Sequence, residues 1–324
     1  MPSLPQVCVI VLNWENFPDT KDCLNSLQQT TYPNLRIIVV DNCSRDNSAD
    51  RLKKEYPHLT FILNNQNLGF ARGCNAGIRE ALKDRECDYV LLLNNDAVIC
   101  PESLLEAIKS IEADAGIGVI SGKILLFPES KTIWYAGGYI NRWRGQAVVR
   151  GFNEVDHGQY ETSCEVGFST GALMLIKREV LERVGLLPEE YFFGVEEWDY
   201  SFKVRRSGYK LYYVPKFVAY HKADGSHWNY DPKFVYNSYR NKLIFQEKYL
   251  PKGLFPLWKA VFGFYARHLA RRSRKRLIRR DQRNKLRDIP LDQLDFALSK
   301  ALKDHGTNTL SEETLLSFNE ELLK

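Results

Sequence analysis

The chain has no Cys-x-x-C pair. Its seven cysteines, Cys8, Cys23, Cys43, Cys74, Cys87, Cys100 and Cys164, are odd in number and scattered. That argues against a disulfide framework or a zinc site and fits reduced, mostly buried thiols of a cytosolic protein. No apolar run approaches the ~18 to 20 residues a membrane span needs. The opening residues, Met1-Pro2-Ser3-Leu4-Pro5-Gln6, lack the basic stretch of a secretory signal. A soluble or peripheral, cytoplasmic protein is expected. There is no internal repeat, and a net charge of +5 is too small by itself to imply a nucleic-acid binder. Charged residues at 26% are ordinary, so the bulk is not disordered. What is present in quantity is core: 44% of 324 residues are hydrophobic, roughly two domains' worth on a prior of about 150 residues each.

The first hundred residues alternate strand and helix signals. Apolar runs at 7–12, 35–40, 60–63 and 89–93 have strand length, and helical patterns lie between them, capped near Asp19 or Thr20 and near Ser48. Continuous rather than alternating apolar strands imply a parallel sheet covered on both faces, so the pattern predicts a Rossmann-like α/β layer. A helix follows Pro101, and 117–126, 169–176 and 211–214 are further strands. Residues 134–157, rich in Gly, Tyr, Trp and Arg with no clear period, suit a binding insertion better than a core element. Helices are expected at 200–207, closed by Gly208, and at 230–249.

Polar clusters sit where such a sheet ends its strands, the place where open α/β sheets bind ligands. Asp41-Asn42-Cys43-Ser44 follows one apolar run. A carboxylate there can accept the imide N–H of uracil or thymine, although the same residues are ordinary turn formers. The stretch from Asn65 to Gly77 opens a helix with Gly69, Gly73 and Gly77 among Asn65, Asn67 and Asn75. Glycine permits close approach of a ligand, a helix N-terminus favours phosphate, and Asn75 can bond a nucleotide or sugar hydroxyl; tight helix packing explains the glycines equally. Asn94-Asn95-Asp96 closes another strand, and Asp96 with a diphosphate can hold Mg²⁺ or Mn²⁺, with Asn94 and Asn95 as neutral neighbours. In Glu196-Glu197-Trp198-Asp199, neighbouring carboxylates repel, so one can serve as a base. The helix dipole alone would also favour acids there. His221 can complete a metal shell with Asp96, with His227 six residues on, and Arg240 can clamp a diphosphate.

The last part changes character. Leu254, Trp258, Val261, Phe262, Tyr265 and Leu269 share one helical face, a run of arginines and lysines follows from Arg267 to Arg287, and the segment from Asp288 is acidic and amphipathic. The stripe and the basic run fit an in-plane helix on an anionic membrane. A packing helix with a solvated basic end is the plainer alternative. No base-stacking or groove-reading motif accompanies the charge.

Taken in order, these segments resemble the inverting glycosyltransferases of family two. The residues carrying the resemblance are Val11-Leu12-Asn13-Trp14, Val39-Val40-Asp41-Asn42-Cys43-Ser44, Asn67-Leu68-Gly69-Phe70, Leu93-Asn94-Asn95-Asp96, Thr170-Gly171-Ala172, Glu196-Glu197-Trp198-Asp199, His221 and Tyr239-Arg240-Asn241. They span roughly residues 5 to 250. The Asn-Trp and Asn-Asn-Asp variants look like the rhamnosyltransferase-like branch. The resemblance implies an α/β GT-A fold with a nucleotide-sugar-binding half at 1–120, an acceptor-binding and catalytic half at 121–228 and a C-terminal helical region at 229–324. It implies Glu197 as general base, where the family usually has Asp. It gives Val11, Asn13, Asp41, Asn42, Gly73, Asn75, Asn94, Asn95 and Arg240 to the nucleotide sugar. Asp96 and His221 go to the metal, and Gly171, Trp198 and Asp199 to the acceptor. The implied reaction moves a sugar from a nucleoside-diphosphate donor, dTDP-rhamnose in that branch, to a glycan or lipid-linked hydroxyl in cell-surface polysaccharide synthesis. A catalytically weak sugar-nucleotide-binding or scaffolding subunit of a glycan assembly complex is the alternative, because Asn94 stands where many members have Asp. A nucleotidyltransferase is disfavoured, since no glycine-rich basic loop follows the first strand.

Overall fold

A computed structural model describes residues 4–222, 232–276, 290–306 and 311–322. His227 and the basic residues 279–287 lie outside them, and so do the side chains of Leu269, Arg271, Arg272, Arg274, Lys275 and Arg276. The chain divides into two compact units. One comprises Met1–Ile140, Ala147–Glu189 and Glu196–Ala223; the other comprises Asn141–Gln146, Glu190–Val195 and Asp224–Lys324.

The first unit opens with β1 (Gln6–Asn13), α1 (Phe17–Gln28), β2 (Leu35–Asp41), α2 (Ser48–Glu55), β3 (Thr60–Leu63), α3 (Gly69–Lys83) and β4 (Cys87–Asn94). After these come β5 (Ala97–Ile99), α4 (Ser103–Ala113), β6 (Ile117–Leu126), β7 (Ile133–Tyr135), β8 (Gly138–Asn141), β9 (Gln146–Val149) and β10 (Cys164–Glu165). The run to residue 221 closes with β11 (Leu173–Lys177), α5 (Arg178–Val184), α6 (Glu196–Arg206) and β12 (Lys210–His221). Ten strands form one sheet with the path β10-β12-β6-β11-β4-β1-β2-β3, to which β5 adds on β12 and β7 on β6. Strands β3, β2, β1 and β4 are parallel, as their unbroken apolar runs predict. β11 enters antiparallel between β4 and β6. The sheet therefore passes without a break through residue 120, and the two expected halves share one core.

The insertion at 134–157 is more regular than its composition predicts. It contributes β7 to the large sheet and the β8–β9 hairpin. β12 is longer than its apolar segment predicts, because its second half pairs with β6 past a bulge between Val214 and Val218. α6 begins at Glu196 rather than at residue 200, so the acidic cluster is the first turn of the helix itself.

The second unit is built on α7 (Pro232–Tyr249), α8 (Phe255–Arg276), α9 (Leu291–Asp304) and α10 (Glu312–Leu322). Its core joins Tyr236 and Leu243 of α7, Trp258 and Phe262 of α8, Leu298 of α9 and Phe318 of α10. The acidic C-terminal segment thus supplies apolar faces to a helical core.

Candidate active site

Parallel register places Asn13 opposite Asp41, and Leu12 opposite Asn94. The last residues of β1, β2 and β4 therefore form one polar rim at the carboxyl edge of the sheet, where α/β sheets take their ligands. Asn13 is the hub. Its amide donates to Asp41 Oδ1 at 2.7 Å, Ser48 Oγ at 2.9 Å and Ser44 Oγ at 3.2 Å. Its Oδ1 lies 2.8 Å from the Thr20 hydroxyl, which in turn accepts from Asn95 Nδ2 at 2.9 Å. Asp41 also accepts from the Ser44 hydroxyl at 2.6 Å and from the Ser44 N–H at 2.9 Å. The protein thereby uses about three of the roughly four acceptor positions of this carboxylate. Glu15, Cys43 and Asn47 have positive φ of 49°, 65° and 61°. Non-glycine residues rarely adopt that region, and such strain gathers at functional edges.

A few residues on, the chain turns back through β5. Its antiparallel pairing with β12 puts His221 opposite Ala97 and so beside Asp96. The Asp96 carboxylate Oδ1 and His221 Nε2 are 2.9 Å apart, and Asn94 Nδ2 lies 3.2 Å from the same ring nitrogen. Trp134 meets the imidazole edge-on at 4.7 Å between centroids. Burial pushes the Asp96 carboxyl up, but the hydrogen bond and charge of His221, with the charge of Lys222, hold it below the usual range. Backbone bonds fix the corner: the Lys222 N–H donates to Asp96 O at 2.9 Å and the Phe127 N–H to His221 O at 3.0 Å. The Lys222 ammonium then reaches Asp19 at 2.5 Å and Asp22 at 2.6 Å on α1. Those two carboxylates raise its pKa against the effect of burial.

A carboxylate, an imidazole and a neighbouring amide suit a hard divalent cation that completes its shell from diphosphate oxygens and water. The buried His221 Nδ1 has no hydrogen-bond partner, whereas a metal-ligating imidazole is usually steadied through its second nitrogen. No group of three or more His, Cys, Asp or Glu side chains that could hold a metal occurs among the described residues. Asp96 and His221 are thus the two side chains of this corner with metal-ligating chemistry.

The first turn of α6 separates its carboxylates by burial. Glu196 is 3% exposed and lies beside Cys74 of α3, whose thiol is pushed far up by burial and by the Glu196 charge. Asp199 is 0% exposed and sits 3.9 Å from Lys203. Glu197 is half-buried and keeps an accessible surface, and Trp198 packs on the core. Just before this turn Gly194 and Val195 both have φ of +80°, a genuine outlier for a β-branched residue. Two amides of α7 hold that kink: Asn237 donates to Phe193 O at 2.6 Å, and Asn241 to Phe193 O at 3.0 Å and Gly194 O at 2.8 Å.

Other expected ligand contacts are turned inward. The Asn42 amide donates to Asn67 Oδ1 and Gly69 O, and its oxygen accepts from Asn64 and the Leu68 N–H. All its bonds go to the 64–69 loop, so its side chain has no capacity left for a nucleotide. Asn75 is fully buried and clasps the segment after α5, donating to Leu187 O at 2.8 Å and Glu189 Oε1 at 2.9 Å and accepting from the Leu187 N–H at 3.1 Å. Gly73 is a packing residue: a Cβ there would meet Leu12 Cδ1 at 2.6 Å. The same holds for Gly171, whose Cβ would meet the Phe70 ring at 2.9 Å. The Val11 side chain is buried within β1, and complete burial takes Asp199 from the acceptor. Arg240 belongs to the second unit, is 1% exposed, and donates to Glu190 O at 3.5 Å. Asn75→Ala is accordingly expected to lower stability by about 1 to 3 kcal/mol, the cost of orphaned buried groups, with donor affinity unchanged. Thermal melts and calorimetry on the same variant check both halves.

Thr20 and Ser48, expected only as helix caps, join the Asn13 network, and Lys222 braces the corner without having been expected there. The sequence signal for Lys222 is its place after His221, with Asp19 and Asp22 spaced three apart on α1.

Comparison with known proteins matches residues 7–185 to glycosyl transferase family 2. The chain belongs to this family. Among its relatives is the low-salt glycan biosynthesis hexosyltransferase Agl10 of Haloferax volcanii, 24% identical over 264 residues and covering 78% of each chain. An N-acetylglucosaminyl-diphospho-decaprenol L-rhamnosyltransferase of Mycobacterium tuberculosis is 24% identical over 233 residues, 66% of this chain and 76% of that one. The mannosyltransferase PcManGT of Pyrobaculum calidifontis, solved with GDP-mannose and Mn²⁺, superposes with a TM-score of 0.52 at 18% identity, over 99% of this chain and 81% of that one. The family's GT-A fold is thus the fold of this chain, extended by C-terminal helices.

Proposed function

We propose that this family 2 protein moves a sugar from a nucleoside-diphosphate donor to a hydroxyl of a glycan or lipid-linked acceptor, with inversion at the anomeric carbon. The observation that carries this is the alignment of Asn13, Asp41 and Asn94 on one strand edge, with the Asp96–His221 corner two residues beyond Asn94. In this reading Asp41, oriented by Asn13 and Ser44, receives the imide N–H of a uracil or thymine base. Asp96 and His221 would hold Mg²⁺ or Mn²⁺, and such an ion would offset the charge that develops on the leaving diphosphate. Glu197 takes the proton of the acceptor hydroxyl as its oxygen attacks the anomeric carbon and the bond to the diphosphate breaks. The buried Glu196 and Asp199 leave Glu197 as the accessible carboxylate of the turn. Similarity to a rhamnosyltransferase makes dTDP-rhamnose the first donor to try and a lipid-linked diphospho-sugar at the inner membrane face the first acceptor.

A panel of nucleotide sugars with Mn²⁺ and acceptor, scored by nucleoside diphosphate release, tests the proposal. One donor is expected to stand out. Binding of a donor without turnover would identify a scaffolding subunit, and release of inorganic diphosphate a nucleotidyltransferase.

A further inference from the structure

Helix α8 has two apolar faces, one packed into the second unit and one exposed among the described residues. Phe255, Trp258, Phe262 and Ala266 pack into the second unit, with Trp258 stacked on Phe262 at 4.7 Å and Tyr239 edge-on to Phe262 at 5.5 Å. The adjacent arc carries Leu257, Val261, Phe264 and Tyr265, and all four are exposed, Leu257 by 65% and Phe264 by 75%. The interface expected from sequence thus changes its members: Trp258 and Phe262 are core, and Leu257 and Phe264 take their place. A second element lies alongside. The tip between β8 and β9 is Arg142-Trp143-Arg144, and Trp143 is 73% exposed. Its backbone is fastened to the helices, since Trp258 Nε1 donates to Trp143 O at 2.7 Å and the Gln246 amide donates to Arg142 O. The sequence then carries eleven Lys and Arg against a single Asp between residues 267 and 287.

We infer that the open face of α8, together with Trp143, docks on an anionic lipid bilayer. Aliphatic and phenyl side chains have a hydrocarbon layer to enter, while Trp143 and Tyr265 suit the headgroup boundary and arginines suit phosphate. No described helix is long and apolar enough to cross a membrane, so the contact lies in the plane of the surface. A second copy is a poorer occupant, because a symmetric contact would bring two strongly cationic segments together. Nucleic acid would meet the charge but leave Leu257, Val261 and Phe264 in water. The inference rests on the glycosyltransferase proposal only for its purpose, which is to hold the catalytic unit near a lipid-linked acceptor.

Co-sedimentation of the full chain with vesicles of phosphatidylcholine, and of phosphatidylcholine mixed with phosphatidylglycerol, tests it. Pelleting is expected with the anionic vesicles only and should weaken as salt rises. The triple substitution Leu257→Ser, Val261→Ser, Phe264→Ser and, separately, Trp143→Ser should each lower the bound fraction, the triple change by roughly tenfold or more. Nucleoside diphosphate release with a soluble acceptor should be unchanged in both, which shows that they fold. Negligible pelleting with both vesicle types, or a triple variant that pellets as the parent does, would overturn the inference. So would a dimer in solution that the triple variant dissolves, or nucleic-acid binding without vesicle binding. A chain that binds anionic vesicles yet turns over no donor would support this surface and sink the transfer proposal instead.

Discussion

Glu197→Gln is expected to lower turnover by roughly 10² to 10⁴-fold, the scale of removing a general base, with donor affinity nearly unchanged. The substitution keeps shape and removes the proton acceptor. Burial divides the three carboxylates of this one helical turn. Glu196 faces Cys74 inside the protein and Asp199 is sealed off, so neither can reach a hydroxyl arriving from solvent. Glu196→Gln is the control: it should alter the melting temperature more than the rate. An active Glu197→Gln beside a crippled but stable Glu196→Gln would reverse the assignment.

Asp96→Ala should weaken metal-dependent donor binding by more than about 100-fold, since even residues behind a metal's ligands are worth 10- to 100-fold. In the proposed reading the corner would supply one carboxylate and one imidazole, and the diphosphate would complete the shell. Calorimetry is therefore expected to find weak Mn²⁺ binding without donor, weak donor binding in EDTA, and tight binding only with both. His221→Ala should lose less, because Asp96 carries the charge. Donor binding and turnover indifferent to chelator would mean that the Asp96–His221 pair is a structural ion pair.

The parallel core was legible because buried strands write themselves as continuous apolar runs closed by polar residues. Register then follows, and with it the meeting of Asn13, Asp41 and Asn94. Short strands such as β5, β7 and β10 are defined by their partners rather than by their own residues. The antiparallel entry of β11 depends on pairing with β4 and β6, which no local pattern encodes. The amides were the hardest to place. Asn42 and Asn75 sit in the motifs that suggest a ligand, yet an amide bonds a loop carbonyl as well as it bonds a ribose, and burial alone separates the two. Glycine misleads likewise: Gly73 and Gly77 admit Leu12, Ile10 and Val40 rather than a phosphate, which offsets the ~1 kcal/mol each costs inside a helix. Helices α9 and α10 look like an acidic tail until their apolar faces meet α7 and α8.

The lattice around Asp41 constrains how such an enzyme could change donors. Asp41, proposed to meet the base, is also the acceptor for the Asn13 amide, the Ser44 N–H and the Ser44 hydroxyl. A side chain of different chemistry at 41 would take the acceptor from both Ser44 donors and leave the buried Asn13 amide to the Ser44 and Ser48 hydroxyls, at about 1 to 3 kcal/mol for each bond left unmade. If Asp41 reads the base as proposed, a switch of base preference is expected to move residues 13, 44 and 48 together with 41.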